Sequence, residues 1–408
     1  MYKTDPDGIR RGFLFRASCV AIVAEAMSFG VRAEIMDTLS SQFHLTNEQI
    51  GWVAGAAFWG FTVSMFVGGQ VCEVIGMRWQ IAAAFACHVS GVLLTLFANG
   101  FGLLYAGTLA IGLANGLVEA TANPLIATIY PERKTDRLNA LHVWYPGGIV
   151  IGGLVALLCT RLGLGWQIKT SLILIPVLLY GGLFFSLELP LTERRQHQIS
   201  TGTMYREALR PGFILLLFCI LLTAATELGP TQWIPSLLTR AGQLPGILIL
   251  VWISGLMAVG RFFAGLLVAR ISPVALLLSC TLLSAGGLLG LGTAQSGFGV
   301  FLSATCFAVG ICYCWPTMYG ITSERFPAGG GFLLALIGSA GMLSGAIVVP
   351  LMGRMYDVWG PARALRSMAL IPLAVAVVFA LMWWRDRAQG GYRAEQLAPP
   401  SPLRVTQD

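Results

Sequence analysis

Charge is scarce in this sequence. Asp, Glu, Lys and Arg make up only 11% of its 408 residues, against about 25% in an ordinary globular protein. A water-solvated particle of this size is thereby excluded, because so few ions could not cover its surface. Nine Cys are present, but they lie mostly inside apolar runs. There is no C-x-x-C and no Cys/His pair at zinc spacing, so neither a disulfide framework nor a metal site is expected. Cys312 and Cys314 flank Tyr313 and so fall on different helix faces. Enzyme signatures are missing too: no G-x-x-x-x-G-K-S/T, no H-E-x-x-H, no G-x-S-x-G, and no G-x-G-x-x-G after a strand. No enzyme activity and no organic cofactor are expected. Basic stripes with interleaved aromatics are also lacking, which argues against a nucleic-acid partner despite a net charge of +7.

What the chain has instead is apolar length. The apolar set is 56% of the residues, 49 Gly come on top of it, and the mean hydropathy is +0.74. A helix crossing a bilayer needs about 20 such residues. Twelve segments qualify: 13–36, 48–71, 79–99, 101–128, 138–160, 165–187, 212–238, 245–269, 273–293, 298–320, 331–353 and 364–384. Arg10, Arg11 and the later Ala24, Glu25, Ala26 imitate a signal peptide, but Arg16 interrupts the apolar region and the run passes the cleavage point. A first membrane helix is the better reading. Pro124, Pro176, Pro230, Pro316 and Pro350 are tolerable within such helices.

With both termini cytoplasmic, 18 Lys and Arg fall on the inner side and seven on the outer, and Arg261 lies within the eighth span. That is the positive-inside bias expected of a multi-pass protein of the cell inner membrane. The polar stretch 188–211 divides the chain into an N-terminal six-helix bundle, residues 1–187, and a second bundle, residues 212–384. Residues 385–408, with no apolar run, read as a disordered cytoplasmic tail. The halves echo each other in GGQVCEVIGMR after the second span and GRFFAGLLVARISP at the end of the eighth, as in transporters built from parallel repeats. The fold class is an all-α membrane protein of twelve transmembrane helices.

An ionisable side chain inside a span costs about 2.5–3.5 kcal/mol or more, so each asks for a role. Glu25, Glu119 and Glu227 lie deep, and Glu34 lies near the outer surface. Asn115, Glu119 and Asn123 step by four and form one polar stripe of the fourth span. Such a stripe suits a polyhydroxyl ligand or proton exchange; the bland alternative is a structural hydrogen bond to a neighbouring helix. Arg32 follows Glu25 by two helical turns, with Ser28 on the same side. Arg32 either attracts an anionic substrate or snorkels to the outer interface. In the seventh span Thr223, Glu227 and Thr231 share a face, Pro230 is expected to loosen the helix, and Gln232 and Trp233 follow. Trp233 is either a stacking platform for a sugar or an interface anchor. Arg137, Leu138 and Asn139 open the fifth span, with His142, Trp144 and Tyr145 behind them, and the tenth carries Tyr313, Trp315, Pro316 and Thr317. Substrate contact and helix packing are equal readings of these aromatics.

EATANP at 119–124, Pro131 and RLNALHVWYPGG at 137–148 resemble the fucose:proton symporter branch of the major facilitator superfamily. The likeness continues through GRFFAGLLVARISP at 260–273, Trp315 to Thr317, and SGAIVVPLMGRMYDVWG at 344–360. It implies a twelve-helix alternating-access carrier with a central cavity between its halves. It also implies proton coupling and substrate binding at Glu119, and a cavity-lining place for His142, where the family often has glutamine. Gly69, Glu73, Gly76 and Arg78 resemble the superfamily's signature after the second helix, with Glu in place of the usual Asp. They are implied to latch the cytoplasmic ends of the halves in the outward-open state. Arg32 and Glu34 stand near the place of a second acid in fucose permease, while Glu227 resembles an acid preceding Trp in sodium-linked glucose carriers.

The expected function is therefore secondary active uptake of a small hydrophilic solute, foremost a monosaccharide. Protons are the coupling ion, with sodium as the alternative. Proton coupling is assigned to Glu119, Glu227 and Glu25. Substrate binding is assigned to Asn115, Asn123, Asn139, His142, Trp144 and Arg32 in the first half, and to Gln232, Trp233, Tyr313, Trp315 and Thr317 in the second. The protein is expected to work as a monomer with the lipid bilayer as its other partner. An exporter or exchanger of organic anions or drugs is the runner-up, favoured by Arg32 and the net charge, and a non-transporting receptor is third.

Overall fold

The computed structural model describes residues 10–130, 134–190, 201–240, 245–263, 271–326 and 330–395. Among these residues all regular structure is helical. The first four spans are single helices: α1 (Arg11–Gln42), α2 (Asn47–Ile75), α3 (Met77–Leu96) and α4 (Phe101–Ile129). The fifth is divided into α5 (Lys134–His142) and α6 (Trp144–Arg161), the sixth into α7 (Trp166–Ser171) and α8 (Leu174–Phe185). A short helix, α9 (Thr201–Ala208), lies in the polar stretch between the halves. The second half comprises α10 (Pro211–Arg240), α11 (Gly246–Phe262), α12 (Pro273–Leu291), α13 (Gly297–Cys312), α14 (Cys314–Arg325), α15 (Gly330–Trp359), α16 (Pro361–Met368) and α17 (Leu370–Ala388). Eleven of the spans are long and apolar enough to cross a bilayer, and α11 is a shorter apolar helix within the described residues. The all-α, membrane-spanning expectation holds.

The interruptions have one physical cause. Val143, Ile173, Tyr313 and Ala369 each precede a proline by three residues: Pro146, Pro176, Pro316 and Pro372. Proline removes the N–H that would bond the carbonyl four residues back and crowds that carbonyl. One freed carbonyl finds a new donor, since Arg261 Nε bonds the oxygen of Cys312 at 3.0 Å. The charge inside the eighth span is thereby explained as a tie between α11 and α13. Pro230 does not loosen its helix: α10 runs unbroken through both Pro230 and Pro235.

Within the first half α2 packs along α4, α3 on α4, and α1 on α6; in the second α12 packs on α13 and α10 on α15. Between the halves α2 lies against α15, α6 against α11, and α1 against α10. This seam is where the deep polar groups collect. Two corners are tight. Gly76 (φ +85°) joins α2 directly to α3, and Gly360 (φ +76°) joins α15 directly to α16, a backbone conformation that side-chain-bearing residues rarely adopt.

The tail departs from expectation. Residues 385–388 are the last turn of α17, and the chain then folds back through Gly390 and Gly391. Tyr392 Oη donates to Glu324 Oε2 at 2.6 Å, the Glu395 N–H donates to the Glu324 carbonyl at 2.8 Å, and Arg210 Nη2 meets Glu395 Oε1 at 2.6 Å. Ionic and backbone bonds thus order residues 385–395, which lack the apolar run that would have betrayed a docked segment. Residues 396–408 lie outside the described part.

Candidate functional site

The three deep acids all turn inward. Glu25 is 0% exposed, Glu227 5% and Glu119 6%. None faces the acyl chains, but their surroundings differ. Asn123 Nδ2 donates to Glu119 Oε2 at 2.5 Å, and His142 Nδ1 lies 3.7 Å from Glu119 Oε1. His142 Nε2 in turn meets Asn123 Oδ1 at 3.0 Å. Glu119, Asn123 and His142 therefore form a closed triangle, built by the i, i+4 spacing of α4 and the last residue of α5. The His142 side chain is 40% exposed, so the triangle has a wet edge. Glu25 has none: neither of its carboxyl oxygens has a hydrogen-bond partner among the described residues, and the same holds for Oε2 of Glu227. A buried carboxylate without donors is expensive to keep ionised.

Tyr145, left out of the assigned binding set, stands at the centre of these groups. Its hydroxyl lies within electrostatic reach of Glu25, Glu227, Arg32 and Glu119 together. Its ring packs 6.1 Å from that of Phe29. Its sequence cue was its place behind His142 and Trp144 in RLNALHVWYPGG, where contact and packing were equal readings.

Arg32 does not snorkel. It is 7% exposed, its guanidinium stands 4.5 Å over the Phe29 ring, and Nε donates to Gln232 Oε1 at 3.2 Å. A desolvated cation over an aromatic face is worth about 2 kcal/mol, which offsets part of the burial cost. Nη2 of Arg32 has no partner among the described residues. The Gln232 bond crosses the seam. So does Ser236 Oγ to Asp37 Oδ1 at 2.6 Å, a little over one helical turn further towards the same face.

Three expected binding residues serve the fold instead. Trp233 is 0% exposed, its indole donates to the Val349 carbonyl at 2.9 Å, and its ring meets Tyr356 edge-on at 5.8 Å. A sugar has no face of it to stack on. Asn115 is likewise enclosed: Oδ1 bonds His88 Nε2 at 2.8 Å, and Nδ2 reaches Ser28 Oγ at 3.5 Å. His88 continues to the Tyr180 hydroxyl at 2.9 Å, so α1, α3, α4 and α8 share one polar chain. His88 was visible as a rare histidine in an apolar run, but its partners were not. Tyr313 donates to the Gly260 carbonyl at 3.0 Å and fastens the break in the tenth span to α11.

Trp315 does stand at the site. Its ring stacks on Tyr319 at 6.3 Å, it lies beside the Glu227 carboxyl, and its edge fits the slot left by Gly341 of α15. Thr317 is 9% exposed, on the turn that follows. Trp144 is exposed at the start of α6. The side chains of Asn139 and Glu73 lie outside the described residues. Of the other signature residues, Gly69 faces Ala335 of α15, Gly76 forms the α2–α3 corner, and Arg78 is exposed.

The site is thus a polar seam between two bundles, sealed towards one face by Arg32, Gln232, Asp37 and Ser236 and wet near the other at His142. Among the described residues no group of His, Cys, Asp and Glu is placed to hold a metal ion.

Similarity to known proteins agrees with this architecture. The chain is 22% identical over 379 residues to the putative niacin/nicotinamide transporter NiaP of Bacillus subtilis, covering 87% of this chain and 91% of that one. The xylose transporter XylE from E. coli, in a partially occluded inward-open conformation, superposes with a TM-score of 0.75 at 14% identity, over 92% of this chain and 97% of that chain. The E. coli fucose:proton symporter FucP superposes with a TM-score of 0.66 at 18% identity, over 90% and 98%. The family model of the Major Facilitator Superfamily matches residues 18–347. The chain belongs to the Major Facilitator Superfamily and is a multi-pass membrane protein of that transporter family.

Proposed function

We propose that the protein is a secondary active carrier that takes up a small hydrophilic solute, foremost a monosaccharide, together with protons. The observation that carries this reading is the set of three carboxyls on the seam, two with unpartnered oxygens and one open to water through His142. Glu25 and Glu119 lie within Coulomb reach of each other on the seam, so two carboxylates there would repel. A proton loaded from one side and released to the other offsets that repulsion as the seam opens alternately. Sugar hydroxyls supply the donors that Glu25 and Glu227 lack, and Trp315 with Tyr319 offers an apolar face beside them. The sugar-transporting neighbours XylE and FucP support the class. Cytoplasmic termini place the wet His142 edge on the cytoplasmic side of the inner membrane, and the carrier works as a monomer.

The test is reconstitution in liposomes. Monosaccharide-dependent proton entry is expected; proton-independent, sodium-dependent uptake would replace the coupling ion.

A second reading, exchange of organic anions, is favoured by the unpartnered Nη2 of the buried Arg32. The niacin/nicotinamide relative is consistent with it. Anion counterflow without sugar-dependent proton entry would select it.

A further inference from the structure

Helix α2 begins with a cap that its own half leaves incomplete. The Gln49 N–H donates to Thr46 Oγ1 at 3.1 Å and the Thr46 N–H donates to Gln49 Oε1 at 2.9 Å, a reciprocal box. The next orphan donor, the Glu48 N–H, is taken from across the seam by Asp357 Oδ2 at 2.9 Å. The other oxygen of Asp357 accepts from Asn47 Nδ2 at 2.6 Å. A carboxylate on a helix N-terminus is stabilising through both the hydrogen bond and the helix dipole. Here the carboxylate ends α15 of one half and the helix is α2 of the other.

Geometry at α15 is arranged for this contact. A side chain at Gly353 would collide with the Asn47 carbonyl and meet Trp233 Cζ2 at 2.9 Å. Only glycine lets the two helices approach there. Trp233 holds the same stretch of α15 through Val349, and Gly360 turns the chain sharply three residues after Asp357. The resulting pattern, Gly353, Asp357 and Gly360, has the same spacing as Gly69, Glu73 and Gly76 at the far end of α2. In both, the last glycine has positive φ and joins two helices directly. Helix α2 has 29 residues, so the two corners stand about 43 Å apart along its axis, on opposite faces of the protein.

We infer that Asp357 is a positioning residue of the transport cycle, a latch that holds the Asn47 face closed by capping α2 across the seam. The inference rests on the alternating-access reading. It assigns the 353–360 corner the same kind of task on this face that the 69–76 signature is expected to perform on the other. When this face opens, the Glu48 N–H and Asn47 amide exchange Asp357 for water, so the latch biases the equilibrium without locking it.

Nitroxide labels at Ser41 and Gln295, both exposed and on this face, report its opening as a distance distribution in liposomes. Asp357→Ala removes both bonds and should raise the wide-separation population about ten- to a hundredfold, the range of hydrogen bonds to a charged group. Asp357→Asn, which keeps an acceptor, should fall between. Asn47→Ala combined with Asp357→Ala should add nothing beyond Asp357→Ala alone. Unchanged distributions in Asp357→Ala and Asp357→Asn, with a wild type that alternates under a solute or proton gradient, would overturn the latch alone. A single distance in every variant and under every gradient would overturn the carrier reading and the latch together.

Discussion

His142 Nδ1 stands 3.7 Å from Glu119 Oε1, while its other ring nitrogen is held by Asn123. The imidazole is thus placed between a buried carboxyl and water, its side chain 40% exposed and that of Glu119 only 7%. Glu119→Gln removes the carboxylate and keeps an oxygen for the Asn123 amide. Gradient-driven accumulation in liposomes should fall at least 100-fold, with solute exchange largely spared. Unaltered accumulation would take Glu119 out of the coupling role. His142→Gln should instead slow net proton-coupled flux by a smaller factor, about tenfold, below the 10²–10⁴ typical of a positioned acid–base group, because its exposed edge lets water stand in for the imidazole.

Arg32→Ala tests the charge of the solute. The Gln232 bond and the Phe29 contact are lost in either case, which loosens the seam modestly. A neutral sugar should still be carried within about threefold of the wild-type rate. An anionic solute should lose 100-fold or more in apparent affinity, the cost of about 3 kcal/mol for an unpaired buried charge partner.

Trp233→Ala should act on stability and leave recognition alone. A fully buried Trp truncated to Ala costs about 3–5 kcal/mol, and loss of the Val349 bond is included in that figure. Thermal unfolding in detergent should fall by several degrees, while the apparent affinity of protein that remains folded stays unchanged. A selective loss of affinity at unchanged melting temperature would return Trp233 to the binding site.

Acid should release the tail. Arg210 holds the Glu395 carboxyl below the ordinary carboxylate range through a direct hydrogen bond, and Glu395 and Glu207 hold the Arg210 guanidinium charged. A depressed carboxyl contributes its stabilisation in full above the ordinary carboxylate range and loses it as pH falls through the depressed value. Hydrogen exchange across 389–395, corrected for its intrinsic pH dependence, should therefore be slow at neutral pH and fast once the pH falls below the depressed value. Glu395→Gln should be fast throughout. Exchange that is equally slow in both would place the clasp in Tyr392 and the Glu324 carbonyl.

The twelve spans were legible because about 20 apolar residues in a row have few other stable destinations. Their interruptions were legible only in part. Pro146, Pro176, Pro316 and Pro372 each follow a break, yet Pro124, Pro230 and Pro350 lie in unbroken helices. The proline alone does not separate the two groups, and the donor that takes the freed Cys312 carbonyl comes from Arg261, 51 residues away, where no local pattern could show it. The acids of the site were legible for the same reason as the spans, since an ionisable group stands out in an apolar run. Their partners were not. Asn115 and Asn123 look alike on one stripe of α4, but His88 claims the first and His142 the second. Trp233 and Trp315 are both aromatics near a carboxyl, and only the approach of Val349 and Gly341 on α15 separates a brace from a wall of the site.

The gap between α5 and α6 falls at Val143, after His142 and before Tyr145. The two side chains therefore stand on either side of the interruption that Pro146 causes. A tilt of α5 at this point would carry the imidazole away from Glu119 and leave the tyrosine hydroxyl among Glu25, Glu227, Arg32 and Glu119. On the proposed carrier reading, proton transfer at His142 and solute contact beside Tyr145 would then be worked by separate levers.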